Sequence, residues 1–214
     1  MTPPLPQPSD TPPPDDSVPP GTTRVETRDP QGRLLSVAHL NAEGAMHGPF
    51  TAFDAQGRVQ MRMGYRDGQP DGPAVIYRDG RVQTTLSYAA GQLDGELRGY
   101  DPAGRLASIV RYAQGRKHGL TECFSPDGAP LVSMAYDNDR QHGPTTEHHP
   151  DGSVRRRTPY VDGLPDGESL EFHPGGAPAA RTLYRAGVVV DGPTRFDDPA
   201  GPGKTSLLGR LFGK

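Results

Sequence analysis

The chain has 214 residues, of which 32% are hydrophobic, and a formal net charge of −3. So few apolar side chains would suit a disordered chain, but that route to disorder also needs a high net charge. The near-neutral balance excludes a general nucleic-acid binder, and a single cysteine, Cys123, rules out an internal disulfide and fits a reducing compartment.

Residues 1–21 read as a disordered leader. Its first twenty residues hold nine prolines and the aspartates Asp10, Asp15 and Asp16, with no basic residue. Proline-rich, acidic and poor in apolar surface, such a segment is an extended, solvated arm. No stretch approaches the ~18 apolar residues of a membrane span. The start also lacks the basic and apolar segments of a secretory signal. The expected location is the cytoplasm.

Residues 22–201 are periodic. Tyr65, Tyr88, Tyr112, Tyr136, Tyr160 and Tyr184 lie 23, 24, 24, 24 and 24 residues apart. Tyr77 and Tyr100 share a second frame with Phe53, Phe124 and Phe172, five residues after a repeated glycine. A fixed period in this range marks a tandem array of one supersecondary unit. Within each unit, Asp67-Gly68, Ala90-Gly91, Gln114-Gly115, Asn138-Asp139, Asp162-Gly163 and Ala186-Gly187 read as two-residue hairpin turns, which need positive φ at both positions. A longer turn follows, as in Asp101-Pro-Ala-Gly104, where glycine closes a bulged hairpin; in one unit it shrinks to Asp79-Gly80. Between turns the residues alternate. Val82, Thr84, Leu86 and Tyr88, then Leu106, Ser108, Val110 and Tyr112, define one face set against more polar neighbours. A pair precedes each aromatic strand: His47-Gly48, Asp71-Gly72, Asp94-Gly95, His118-Gly119, His142-Gly143, Asp166-Gly167 and Asp191-Gly192. Seven equivalent copies point to one backbone role, a bulge or close approach, rather than to catalysis. The pattern predicts an all-β meander of about fourteen antiparallel strands.

This frame, aromatic-x-x-Gly-x-x-(Asp/His)-Gly-x-x-x-x-aromatic followed by a glycine turn and a strand, resembles the MORN repeat. It is most similar to the bacterial variant associated with antitoxins. The resemblance covers residues 41–201, and the chain departs from the usual pattern in having no tryptophan. It implies an elongated, twisted antiparallel sheet of about seven hairpin repeats. It also implies roles in binding and scaffolding: membrane attachment or dimerisation in some members, toxin neutralisation in the bacterial ones.

Chemistry finds little support. Asp198-Pro-Ala-Gly-Pro-Gly-Lys204-Thr205 approaches a P-loop but has aspartate in place of the first glycine and no α/β context. His142, His148 and His149 lack standard metal-ligand spacing, and His148 stands in the aromatic slot. No catalytic, cofactor or metal residue is assigned, and the expectation is a non-enzymatic protein that binds another protein, such as an immunity protein or antitoxin.

The unit from Tyr136 to Tyr160 is the most irregular. Arg155 and Arg157 are expected on one face and Arg156 on the other, so Arg155 and Arg157, with His148 and His149, form the candidate surface for an acidic partner. The basic tail, residues 202–214, groups Leu207, Leu208, Leu211 and Phe212 at helical spacing. It reads as a short helix that caps the sheet or docks on a partner. A membrane-associated scaffold or dimerisation module using the repeat sheet and this basic tail is the alternative reading.

Overall fold

The computed structural model describes residues 16–199. Among them there is no helix, and seventeen β-strands follow one another in chain order. The described residues fall into two units: one holds the chain up to Pro130 with Ala135–Arg140, the other Leu131–Met134 with the chain from Gln141 on.

In the first unit, β1 (Thr23–Arg28), β2 (Leu34–Leu40), β3 (Gly48–Phe53), β4 (Val59–Arg66), β5 (Gln69–Arg78) and β6 (Arg81–Ala89) pair antiparallel in sequence. Then β6 pairs with both β7 (Gln92–Leu93) and β8 (Gly95–Tyr100), and β9 (Leu106–Ala113) links β8 to β10 (Arg116–Phe124). After β11 (Pro130–Asp137) come β12 (Arg140–His148), β13 (Val154–Val161), β14 (Leu164–Pro165), β15 (Gly167–Phe172), β16 (Pro178–Arg185) and β17 (Val188–Arg195). In the second unit β12, β13, β14, β15, β16 and β17 form the same antiparallel meander, β13 pairing with both β14 and β15. Two strands are broken, at Asp94 and Asp166. With each counted once, fifteen runs remain. The run beyond expectation is β1, joined to β2 through Asp29-Pro-Gln-Gly32, an early copy of the long turn.

The turns follow the glycine pattern. The first residues of the two-residue turns, Asp67, Asp79, Ala90, Gln114, Asn138, Asp162 and Ala186, have φ between 45° and 51°, and the glycines that follow are also positive. Asn138-Asp139 adopts the same turn with φ of 48° and 69°. Its missing glycine is offset by the Asp139 carboxylate, which accepts the Lys117 N–H at 2.8 Å.

The long turns share a polar device. Asp101 Oδ1 accepts N–H groups of Ala103 and Arg105, each at 2.9 Å, and Oδ2 accepts Arg105 Nε at 2.8 Å. Asp29 and Asp54 do the same with Arg33 and Arg58. At Asp101 the Arg105 N–H leads in holding the carboxyl below its ordinary value of 3.8. At Asp29 and Asp54 desolvation raises the carboxyl, but the hydrogen bonds outweigh it and the net direction is down. A carboxyl depressed in the folded state stabilises fully above its unfolded pKa and ceases to do so as pH falls through the folded one. Thermal unfolding should therefore lose stability below about pH 4, and Asp101→Asn should flatten that acid slope; an unchanged slope would deny the turn carboxylate this role.

The Asp/His-Gly pairs are bulges within strands. Gly48, Gly72, Gly95, Gly119, Gly143, Gly167 and Gly192 all have φ between 85° and 110°. In three of the pairs the side chain before the glycine also reaches forward about twenty residues to a turn N–H. Asp71 accepts the N–H of Ala90 at 3.3 Å, Asp94 that of Gln114 at 3.1 Å, and His47 Nδ1 that of Asp67 at 3.3 Å. A backbone bond accompanies it at each joint. The second turn residues Gly68, Gly91, Gly115, Asp139, Gly163 and Gly187 donate to the carbonyls of Met46, Pro70, Leu93, Lys117, Gln141 and Pro165, at 2.7–3.0 Å. Neighbouring hairpins are thus stitched edge to edge through main-chain groups, independent of most side chains.

The larger core lies in the first unit. Met63, Ala74 and Leu86 are buried side by side on β4, β5 and β6, with Met61, Tyr65, Ile76, Tyr88, Leu93 and Leu97 packed around them. This is the expected tyrosine face. A second cluster joins Tyr100, Leu106 and Ile109. Burial is not one-sided, however: Val75, Thr85 and Ile109, on the opposite face, are 4%, 2% and 6% exposed. They lie in one cross-strand row, Arg62–Val75–Thr85–Arg98–Ile109–Glu122. Charges frame this face: Arg98 pairs with Glu96 at 2.7 Å, and Arg111 bridges Glu96 at 3.1 Å and Glu122 at 2.7 Å. Arginine stems cover apolar neighbours while their heads stay hydrated, which accounts for burial on a face that reads as polar.

Candidate protein-binding surface

The four candidate residues cluster on β12, β13 and the turn between them. His148 fills the aromatic slot, opposite Val154, as Phe172 stands opposite Pro178 in the next hairpin. The His148 ring is partly buried, and among the described residues its Nδ1 has no hydrogen-bond partner. His149 opens the long turn, where its N–H donates to the Ser153 carbonyl at 2.8 Å. Its Nε2 meets the Phe172 carbonyl at 2.9 Å, just as His173 Nε2 meets that of Phe196 at 3.1 Å. These histidines stitch successive long turns together. Asp151 lies beside His149, and its carboxyl is held low first by the Ser153 hydroxyl and then by the Ser153 amide.

The arginines divide differently from simple alternation. Glu147 pairs across the ladder with Arg156 and His148 with Val154, which leaves Arg155 as the extra residue of a bulge. The bulge lets both neighbours reach one carboxylate: Arg155 is ion-paired with Glu147, and Arg156 approaches it at 3.8 Å. Arg156 also pairs with Glu171 at 2.7 Å. Arg157 is exposed and, among the described residues, has no ion pair; Thr146 and Leu170 lie opposite it on the flanking strands. The row continues to Arg181, paired with Asp191 at 2.8 Å.

Sequence reasoning missed the acids that engage the arginines. Glu147 and Glu171 are eight residues before Arg155 and fifteen after Arg156, separations that only the strand register brings together. Beneath the charges, Thr158 and Ser169 share a buried hydroxyl bond of 2.7 Å where the first unit has apolar packing. The second unit also exposes Leu131, Val154, Val161, Leu164, Val188, Val189, Val190 and Phe196, each 36–65% accessible. Leu207, Leu208, Leu211 and Phe212 lie outside the described residues.

Among the described residues, no group of three or more His, Cys, Asp or Glu is placed to hold a metal ion. No helix among them is long and apolar enough to cross a membrane, which says nothing of strands that do so.

No protein-family model matches this chain, and no curated protein matches it in sequence. Two solved structures of TarM are similar in part. One is a S. aureus TarM mutant in complex with fondaparinux, alpha-GlcNAc-glycerol and UDP, and the other is a crystal structure of TarM. Each aligns at 9% identity with a TM-score of 0.28, over 57% of this chain. The chain spans 21% of the length of either.

Proposed function

We propose that this chain is a non-enzymatic binding protein whose second unit engages another protein, in the manner of an immunity protein or antitoxin. The observation that carries this reading is the coexistence, on one small unit, of exposed arginine and exposed aliphatic side chains. Arg157 stands free of ion pairs among the described residues, and Val154 and Val161 flank it on the same strand. Arginine beside apolar surface is the composition favoured where protein interfaces form, and its planar fork recognises carboxylates. Of the four sequence candidates, Arg157 is the one whose charge is unspent, so an acidic partner patch would meet it first.

The test begins with affinity purification on the full chain and identification of what is retained. Against a purified partner, Arg157→Glu should weaken binding at least tenfold and slow association, with the effect fading as salt rises. Arg155→Glu should do less directly, since it acts through Glu147. Unchanged affinity in Arg157→Glu, with the circular dichroism spectrum intact, would remove this surface. Neutralisation is tested separately: coexpression must restore growth to cells producing the partner, and Arg157→Glu must abolish that rescue.

A further inference from the structure

The one shortened turn also has its charges inverted. The residue after the aromatic slot opens each long turn: Asp54 after Phe53, Asp101 after Tyr100, Ser125 after Phe124, His149 after His148 and His173 after Phe172. After Tyr77 that residue is Arg78. In the turns that begin at Asp29, Asp54 and Asp101, the carboxylate clasps the arginine that follows the turn glycine. Arg33, Arg58 and Arg105 are held in this way at 2.6–2.8 Å. Arg81 is the arginine that follows Gly80, but it faces a cation instead. Arg78 and Arg81 are direct cross-strand partners on either side of Asp79-Gly80. Like charges set opposite one another destabilise an antiparallel pair.

The nearby acids are engaged elsewhere. Asp79 Oδ1 accepts Arg58 Nη2 of the preceding hairpin at 3.1 Å, and Asp101 holds Arg105. Among the described residues Arg78 has no hydrogen bond or ion pair. Arg81 donates through Nη1 to the Pro102 carbonyl at 2.8 Å and has no ion pair among them. Both arginines line an open recess of about 490 Å³ between this short turn and the full-length turn at Asp101–Gly104. Val82, Tyr100 and Pro102 give it apolar walls, and Asp79 and Asp101 are also in its lining. Tyr100 is 7% exposed, and its buried hydroxyl has no partner among the described residues. The volume is that of a small-molecule site.

We propose that this recess binds a small organic carboxylate, held between Arg78 and Arg81 with its apolar part against Val82, Tyr100 and Pro102. A guanidinium fork matches a carboxylate, and an anion between two opposed guanidiniums turns their repulsion into a shared attraction. The acids in the lining set the charge class, because Asp79 and Asp101 repel a doubly charged phosphate more than a singly charged carboxylate. The apolar walls favour a carboxylate that carries a ring over acetate, since the ring leaves water on binding. The site lies wholly within the first unit and is independent of any partner at Arg157.

Titration of the full chain with benzoate at low ionic strength, followed by NMR of the arginine Nε–H signals, tests it. Benzoate should shift the Arg78 and Arg81 signals saturably and bind at least tenfold more tightly than acetate or inorganic phosphate. Arg78→Asp restores the Asp–Arg arrangement of the neighbouring turns. It should weaken benzoate binding at least tenfold. Without ligand it should raise the melting temperature, by an amount that shrinks as salt screens the pair. Arg81→Gln should weaken binding as well, whereas Arg116→Asp, at an exposed arginine outside the recess, should bind as the parent does. Absence of benzoate binding, equal affinity for benzoate and phosphate, or equal affinity in the parent and Arg78→Asp overturns the proposal. An Arg78→Asp protein that melts below the parent overturns it too, because Arg78 would then serve the fold.

Discussion

Tyr100→Ala should cost the first unit about 3–5 kcal/mol, the range for truncating a large aromatic side chain in a core. Tyr100 is 7% exposed and packs with Leu106 and Ile109 in the second core cluster. Its phenol adds bulk without a bond, because the buried hydroxyl has no partner among the described residues. Tyr100→Phe should therefore leave the melting temperature unchanged or raise it, since an unsatisfied buried hydroxyl costs about 1–3 kcal/mol. Tyr112, from the other aromatic frame, is only partly buried, between Gly95 and Lys117 on the flanking strands. Tyr112→Ala should cost less, about 1–2 kcal/mol. Denaturant titration of the three variants checks the order. Equal losses for Tyr100→Ala and Tyr112→Ala would mean that the two frames contribute alike to the core.

Gly64→Ala should destabilise by about 1–3 kcal/mol, the usual range for forcing an extra carbon into packed structure. Gly64 does not need glycine for a left-handed backbone. Its added carbon would overlap the backbone carbonyl oxygen of Asp71, where the bulge folds back against β4. A carbonyl cannot rotate away as a flexible side chain can. Gly72→Ala, one bulge residue away, meets no atom within 4 Å and should suffer only from its φ of 85°. That backbone penalty is about 1–2 kcal/mol for a non-glycine residue. A Gly64→Ala protein that melts with the parent would show that the bulge at Asp71 yields easily.

Turn chemistry was the most legible part of this chain. Two-residue turns with Gly, Asn or Asp demand positive φ, and every one of them, including the glycine-free Asn138-Asp139, has it. The strand order follows directly, because hairpins this tight can only pair neighbours. The second buried face was less legible. Val75 and Thr85 each neighbour a buried apolar residue of the opposite face, Ala74 and Leu86, and the arginines in the same cross-strand row come from neighbouring strands. Alternation within one strand carries no information about cover supplied by the next.

The candidate site was legible as an anomaly but not in its wiring. Three consecutive arginines stand out in the sequence, and their expected two-and-one split ignores the bulge. Once Arg155 becomes an extra residue opposite no partner, it turns with Arg156 toward Glu147. The same bulge recurs in every hairpin whose register shifts beside the aromatic slot, at Ala52/Phe53, Ile76/Tyr77, Gly99/Tyr100 and Glu171/Phe172. His149 similarly reads as a free imidazole until its ring is seen to bond the Phe172 carbonyl of the following hairpin.

The joints between hairpins bear on how such a chain can change in length over generations. Each is closed by a main-chain donor and acceptor in the same relation, from Gly68 with Met46 to Gly187 with Pro165. A genetic event that duplicates or removes one whole period, for example the residues from Gln92 to Gly115, would rejoin a turn glycine to the same kind of strand start. Copy number is then free to drift by recombination, because the same main-chain joint recurs from unit to unit and each unit contacts only its neighbours.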